Sequence, residues 1–439
     1  MGSIFKAYDI RGVYGEQLTE ELAYKIGRAF ATFLKCKKTV VGRDMRPHSQ
    51  PLFDALARGL VEQGVTVIDL GLCSTPMSYY ANGKLGADSG VMITASHNPG
   101  EYNGFKMCRE NAIPISGATG IKDIEKIVQE ESFDPPASSP GRIETHNIVS
   151  EYVEHFRAFA EFARPVNVVI DYANGMGIYE GKVLDGLMAI EPLFDELDGT
   201  FPNHEANPLH AETFGPLQDR IRSGRYDFGV YFDGDADRAG FTDEQGNIVS
   251  NDMITALIAE AILSKEKGVV FYDLRSSRAV KEVIEESGGE ARMSRVGHAF
   301  IKEQMREANA VFAGELSGHY YFRENFFTES AALAAIFIGN LVSQTGKSLS
   351  ELVKPILRYH ASGEINSTVE DVPAVFKRLR EKYHDGRVTE LDGLSIDFDD
   401  WWFNVRASNT EPLVRLNLEA STREDMERHR DDVLALIRS

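Results

Sequence analysis

Cysteine is scarce. Three thiols, Cys36, Cys73 and Cys108, stand in 439 residues, an odd number with no CxxC pair. That excludes a disulfide-stapled scaffold and points to reduced thiols in the cytoplasm. Positive charge is also short, with 47 basic against 67 acidic residues and a formal net charge of −20. A nucleic-acid or anionic-membrane binder needs a basic face, which this field opposes, so neither partner is expected. Any anionic ligand must then be met by a local basic pocket. Long apolar runs are missing too: the most apolar helix-like stretch, 331–342, is too short to span a bilayer and contains Asn340. The opening Met1-Gly2-Ser3-Ile4-Phe5-Lys6 has no apolar signal region, and Lys6 stands where a myristoylation signal needs Ser or Thr. A soluble, cytoplasmic protein is expected. The remaining composition, 43% hydrophobic and 26% charged, is that of a globular chain. At ~150 residues per domain its length suggests about three domains.

The first stretch alternates helix and strand. Thr19 reads as the N-cap of a helix with Leu22, Ile26, Phe30 and Phe33 on one face. A strand at 39–41, a helix at 51–63, and strands at 65–70 and 91–93 follow. Such alternation predicts a parallel or mixed sheet covered by helices. Pro135-Pro136-Ala137-Ser138-Ser139-Pro140-Gly141 breaks the pattern. Beyond it the periodicity predicts a helix over 148–163, strands over 166–170 and 228–232, a helix near 253–263, strands over 268–272 and 310–313, and a helix over 329–342. From about Gly363 the order changes to strand, helix, three strands, a fourth strand and a helix opened by the capping box Ser421-x-x-Glu424. That predicts a small α+β domain, with Trp401 and Trp402 on opposite sides of a strand, one in the core and one at an edge.

Three times an apolar strand ends in a polar, glycine-containing loop, and ligands of α/β folds gather beyond such strand ends. In Thr94-Ala95-Ser96-His97-Asn98-Pro99 a strand delivers a hydroxyl onto a turn. Alone, this segment reads as a Ser/Asn turn with side-chain-to-backbone bonds; a nucleophilic or phosphorylated serine is the other reading. Asp233-Gly234-Asp235-Ala236-Asp237-Arg238 sets three carboxylates on alternate residues. They repel unless a cation binds or water surrounds them, and Mg2+ takes oxygen ligands and leaves room for phosphate. An EF-hand is disfavoured because Arg238 replaces the turn glycine and a strand precedes the loop. Gly314-Glu315-Leu316-Ser317-Gly318-His319 could hydrogen-bond sugar hydroxyls, but alone it reads better as a satisfied loop. Arg406-Ala407-Ser408-Asn409-Thr410, with Arg415 on the returning strand, reads as a phosphate fork or a polar hairpin turn. Other patterns fail. Gly346-Lys347-Ser348 lacks the P-loop glycine at Leu341, and Glu180 stands where the Rossmann-like Gly175-Met176-Gly177 needs a third glycine.

Taken together, the TASHNP, DGDADR, GELSGH and RASNT loops, in that order, resemble the α-D-phosphohexomutase superfamily over essentially the whole chain. Ala7-Tyr8-Asp9-Ile10-Arg11-Gly12, Gly42-Arg43-Asp44 and Tyr102-Asn103-Gly104-Phe105-Lys106 agree, the last resembling the phosphomannomutase/phosphoglucomutase branch. The phosphoglucosamine branch typically has glutamine at the position of Leu316.

The resemblance implies three related α/β domains with mixed sheets (1–138, 139–247, 248–360) and a smaller α+β domain (361–439) around a central cleft. It implies interconversion of hexose 6-phosphate and hexose 1-phosphate by a monomer or homodimer, through a hexose 1,6-bisphosphate intermediate. Ser96 would be the phosphoserine, and Asp233, Asp235 and Asp237 would hold Mg2+ together with it. Arg11, Lys106 and His319 would lie near the transferring group, with Lys106 as general acid/base. Arg238 would neutralise the serine-bound phosphoryl group. Arg275 and His298 would contact substrate, and Glu315 and Ser317 would bind sugar hydroxyls. Arg406, Ser408, Asn409, Thr410 and Arg415 would hold the distal phosphate. Three places depart from the pattern. Arg295-Val296-Gly297-His298-Ala299 lacks the family's two hydroxyls, Arg275 replaces a frequent lysine, and Asn325-Phe326-Phe327-Thr328-Glu329 lacks a paired aspartate. A phosphoglucosamine mutase is the near alternative, and a metal-dependent sugar phosphatase and a calcium-stabilised scaffold are the readings from other classes.

Overall fold

The computed structural model describes residues 3–407 and 413–439. Four sheets follow one another along the chain. The first has six strands, and its central members Lys38–Arg43, Thr66–Leu72 and Ser89–Ile93 run parallel. Tyr102–Arg109 returns antiparallel to Ser89–Ile93 and then pairs with Ile10–Val13. Ile143–Thr145 pairs with Thr66–Leu72, so this sheet reaches past the proline-rich segment.

The second and third sheets, of five strands each, repeat the central device. Phe228–Phe232 is parallel to Asn167–Asp171 and turns back antiparallel into Ala239–Thr242. Phe312–Gly314 is parallel to Val269–Asp273 and turns back into Tyr320–Phe322. In all three sheets a buried strand leaves its parallel neighbour through a polar hairpin. Parallel strands covered on both faces need continuous apolar runs, and Ser89–Ile93, Phe228–Phe232 and Phe312–Gly314 are buried at every residue. The last sheet is antiparallel in every pairing, with Trp401–Ala407 against Leu413–Ala420 at its centre.

One apolar cluster runs from Met77 through Tyr152, Ile170, Phe232 and Ile254 to Ile336, joining the buried faces of the first three sheets. The last sheet has its own core around Leu379, Phe403, Leu416 and Val433. Burying each such side chain contributes roughly 1.5–3 kcal/mol, so the first three units cohere as one body while the fourth is a separately cored piece.

The local signals act as expected at Thr19, whose Oγ1 accepts from Leu22 N at 3.2 Å and starts the helix Glu20–Leu34. Three expectations shift. The helix beginning near residue 148 spans only Val149–Arg157: Phe159 N and Ala160 N tighten onto Phe156 O and Arg157 O, and beyond them Asn340 and Ser343 take the amides of Glu161 at 2.7 Å and Ala163 at 3.1 Å. The last helix is capped by Thr422, which accepts from Asp425 N, rather than by Ser421, whose hydroxyl bonds Asp400 O. Trp402 is buried rather than at an edge, its Nε1 donating to Glu419 at 3.0 Å. Among the described residues no helix is long and apolar enough to cross a membrane.

Candidate active site

The serine hairpin and the aspartate hairpin meet face to face. Thr94 Oγ1 accepts from Ser96 N at 2.9 Å, and Asn98 N donates to Ala95 O at 3.0 Å. This tight turn puts Ser96 at φ +51°, a left-handed conformation that non-glycine residues adopt infrequently. The buried hydroxyl then donates to Asp233 Oδ2 at 2.8 Å, with His97 Nδ1 at 3.2 Å. Gly234 permits the approach, since a Cβ there would lie 2.4 Å from Ser96 O.

Asp233, Asp235 and Asp237 are buried and bring carboxylate oxygens within 4.8 Å of one another. Lys106, on the strand after the serine loop, reaches Asp235 Oδ2 at 2.6 Å and Asp237 Oδ2 at 2.5 Å. Thr75 Oγ1 also donates to Asp235 Oδ2, at 2.5 Å. Oδ1 of Asp235 and Oδ1 of Asp237 are buried without a hydrogen bond. Orphaned carboxylate oxygens beside a serine hydroxyl are a hard, all-oxygen donor set, which fits a divalent cation of the Mg2+ kind.

The electrostatics are those of a crowded acidic site. Burial, with Asp237 and Asp235 adding to it, pushes the Asp233 carboxyl up to about 8. Burial also acts against the Asp237 carboxylate, but Lys106, His319 and Arg238 outweigh it and hold that group well below the usual range. Burial pulls the Lys106 ammonium down; the three aspartates overcome it and keep the charge on.

The hairpin 314–319 closes the third side. His319 Nε2 lies 3.3 Å from Arg238 Nε and 3.5 Å from Asp237 Oδ1, and its Nδ1 lies 2.8 Å from Ser317 Oγ and 3.4 Å from Glu315 Oε2. Burial opposes the imidazolium, yet Asp237 and Glu315 raise it to about 9. Glu315 also accepts from Tyr321 OH at 2.5 Å and Gly297 N at 3.1 Å, which fixes both oxygens. His298 stacks near His319, with ring centroids 6.3 Å apart, and burial together with Lys302 and Lys106 lowers it well below the usual histidine range. Arg11 joins from the first strand, bonding Asn98 Oδ1 and Asp9 Oδ2, each at 2.5 Å.

The arginines expected at the substrate are each engaged by a neighbouring carboxylate. Arg275 is turned onto Asp273 through Nε at 3.1 Å and Nη2 at 2.7 Å, and Asp273 also accepts from Leu316 N, so it ties the arginine to the hairpin 314–319. Arg406 and Arg415 are direct cross-strand partners, and both meet Glu364, at 2.8 and 3.4 Å. After burial, the nearby positive charge of Arg275 is the largest influence lowering Arg406. Ser408, Asn409 and Thr410 lie outside the described residues.

Sequence reasoning missed four contributors: Thr75, His97 as a partner of the serine oxygen, and the pair Lys302 and Glu329. Both side chains of that pair are 0% exposed, and they meet at 2.6 Å. Glu329 Oε1 is 3.9 Å from His298 Nδ1, so the segment that lacks the usual aspartate still delivers a carboxylate. Its burial on a two-residue strand carries no periodic signal.

Comparison with known proteins agrees with this geometry. The chain matches the four successive descriptions of "Phosphoglucomutase/phosphomannomutase": alpha/beta/alpha domain I over 2–135, domain II over 150–246, domain III over 250–359 and the C-terminal domain over 364–436. It is 39% identical to a phosphomannomutase of Escherichia coli, covering 99% of each chain. It is 41% identical to one of Methanocaldococcus jannaschii, covering 99% of this chain and 97% of that one. A solved Burkholderia thailandensis structure, described as a phosphoglucomutase/phosphomannomutase family protein, superposes with a TM-score of 0.91 at 32% identity, over 99% of this chain and 96% of that one.

Proposed function

Because the chain belongs to the phosphoglucomutase/phosphomannomutase family and is an isomerase of the phosphohexomutase kind, we propose that it interconverts mannose 6-phosphate and mannose 1-phosphate, and as a dual enzyme the glucose phosphates. Ser96 carries the phosphoryl group between turnovers. The observation that carries this reading is the 2.8 Å bond from Ser96 Oγ into an aspartate trio that also holds Lys106. The three free thiols suit a cytoplasmic enzyme.

Phosphoryl transfer needs in-line positioning and charge neutralisation more than covalent chemistry by the protein. Asp233, Asp235 and Asp237, with an oxygen on Ser96, would hold Mg2+, which when bound supplies positive charge to the transferring group. Arg238 and Arg11 flank the same oxygens. As the P–Oγ bond of phosphoserine breaks and a sugar hydroxyl forms the new P–O bond, Lys106 Nζ gives a proton to Ser96 Oγ and takes up the one the sugar hydroxyl releases, so no net proton is gained or lost. Lys106, kept charged by its three aspartates, is placed to act as that general acid. Glu315 and Ser317 hold sugar hydroxyls with His319 beside them, and His298 and Arg275 line the same wall. Arg406 and Arg415, with Ser408, Asn409 and Thr410, fix the phosphate that does not react. The bisphosphate intermediate carries a phosphate at each end, so it can rebind turned around with either end in the distal site.

Mannose, glucose and glucosamine 1-phosphates, assayed with added hexose 1,6-bisphosphate, test this. Isomerised 6-phosphate should form from the mannose and glucose substrates, and Ser96→Ala should abolish nearly all of it. Inorganic phosphate released without isomerisation would favour a phosphatase, and normal turnover by Ser96→Ala would remove the mechanism.

A further inference from the structure

One buried cation is spent almost wholly on the serine hairpin. Arg46 follows the strand Lys38–Arg43, and its side chain is 0% exposed. Nη1 donates to Pro99 O at 2.7 Å and Tyr102 O at 2.9 Å, and Nη2 to Ser96 O at 2.8 Å and Asn98 O at 2.6 Å. Nε donates to Asp44 Oδ2 at 3.2 Å. Guanidinium has five N–H donors in a rigid fork, and here all five are engaged, four of them on carbonyls of a single loop. Asp44 is itself fixed by Arg46 N at 3.1 Å and Ser49 Oγ at 2.5 Å. The second unit covers the knot. Phe201 lies 5.1 Å from the guanidinium carbon, and a Cβ at Gly199 would stand 2.6 Å from Arg46 Cα.

We infer that Arg46 is a positioning residue for phosphoryl transfer: by gripping the carbonyls of residues 96, 98, 99 and 102 it keeps Ser96 in its left-handed conformation with Oγ aimed at Asp233. The inference rests on the reading of Ser96 as phosphoryl carrier. The grip on Ser96 O is direct, and nothing else in the hairpin binds that carbonyl among the described residues. Loosening it lets the peptide relax toward an ordinary φ and swings the hydroxyl away. A misplacement of ~1 Å at a reacting atom lowers a rate on the order of 100-fold. Arg46 points at backbone rather than at the sugar loops, so the loss falls on kcat and spares KM.

Arg46→Lys keeps the charge but offers three donors in place of a planar five-donor fork. It should lower kcat on mannose 1-phosphate roughly 100-fold with KM nearly unchanged, and speed amide exchange of residues 95–102 selectively over the rest of the first unit. Phe201→Leu, which uncovers the knot without touching it, should move both readouts in the same direction and less far; it decides the matter should Arg46→Lys fail to fold. Wild-type kcat with wild-type exchange in 95–102 would overturn the inference, and so would exchange loosened evenly throughout the first unit. An inactive wild-type protein would instead remove the proposed function, and the exchange comparison would then decide by itself whether Arg46 holds Ser96.

Discussion

Glu180 offers the sharpest test of how the first three units are held together. This glutamate is 0% exposed. It lies in the helix Gly177–Leu184 of the second unit and reaches the starts of two helices from the other units. Ser74 Oγ, the N-cap of Thr75–Lys84, donates to it at 2.5 Å, and Ala332 N, in the first turn of Ala331–Thr345, donates at 3.4 Å. Tyr152 OH completes the set at 3.0 and 3.1 Å. Helix N-termini favour a negative charge, but burial wins over these donors and pushes the carboxyl from 4.5 to about 7. A rise of that size corresponds to ~3 kcal/mol between the ionised and neutral forms. The folded pKa is raised, so the folded chain binds more protons than the unfolded chain between pH 4.5 and 7. The stabilisation is therefore complete below 4.5 and is lost as pH rises through about 7.

Glu180→Gln has no such ionisation to lose. Relative to this variant, the wild type should lose ~3 kcal/mol on going from pH 4.5 to 8. Urea unfolding and apparent Tm followed in parallel across that range isolate the effect, because both proteins share every other titration. Two pH profiles that run parallel, with a constant offset, would refute the reasoning and show that Glu180 is ionised throughout.

Glu329→Gln leaves the fully buried Lys302 without its counter-charge, which should destabilise the fold by ~3–5 kcal/mol in urea titrations. Replacing Lys302 and Glu329 together by Met and Leu should recover much of that loss. Asp235→Asn removes one charge from the trio and should raise the Mg2+ concentration for half-maximal turnover by about tenfold or more; an unchanged requirement would place the ion elsewhere. Arg406→Ala with Arg415→Ala removes charge-assisted bonds worth ~1.5–3 kcal/mol each and should raise KM for hexose 1-phosphate by tenfold or more. Equal affinity would show that these arginines serve only Glu364.

Local chemistry made much of this protein legible before any packing was known. The apolar runs ending at Ile93, Phe232 and Ala313 marked buried parallel strands, because only residues covered on both faces are so uniformly hydrophobic. The polar hairpin after each run marked a place for chemistry. Alternate aspartates at 233, 235 and 237 pointed to a cation site, because they repel unless a cation or open water lies beside them. What strand-and-turn patterns do not carry is which hairpin faces which. Ser96 and Asp233 are 137 residues apart, and their meeting at 2.8 Å depends on two sheets docking through a shared core. The same holds for residues whose role lies in another unit. In the sequence Glu180 only spoils a glycine motif, and Arg46 is one arginine among many. Buried pairing across domains decides what they do, and no local periodicity encodes it. Sequence thus determined the strands, the hairpins and their polar side chains, whereas tertiary packing decided the left-handed serine, the raised carboxyl of Asp233 and the buried cation beneath the loop. Charges and hydrogen bonds acquire their strength only once water is excluded around them.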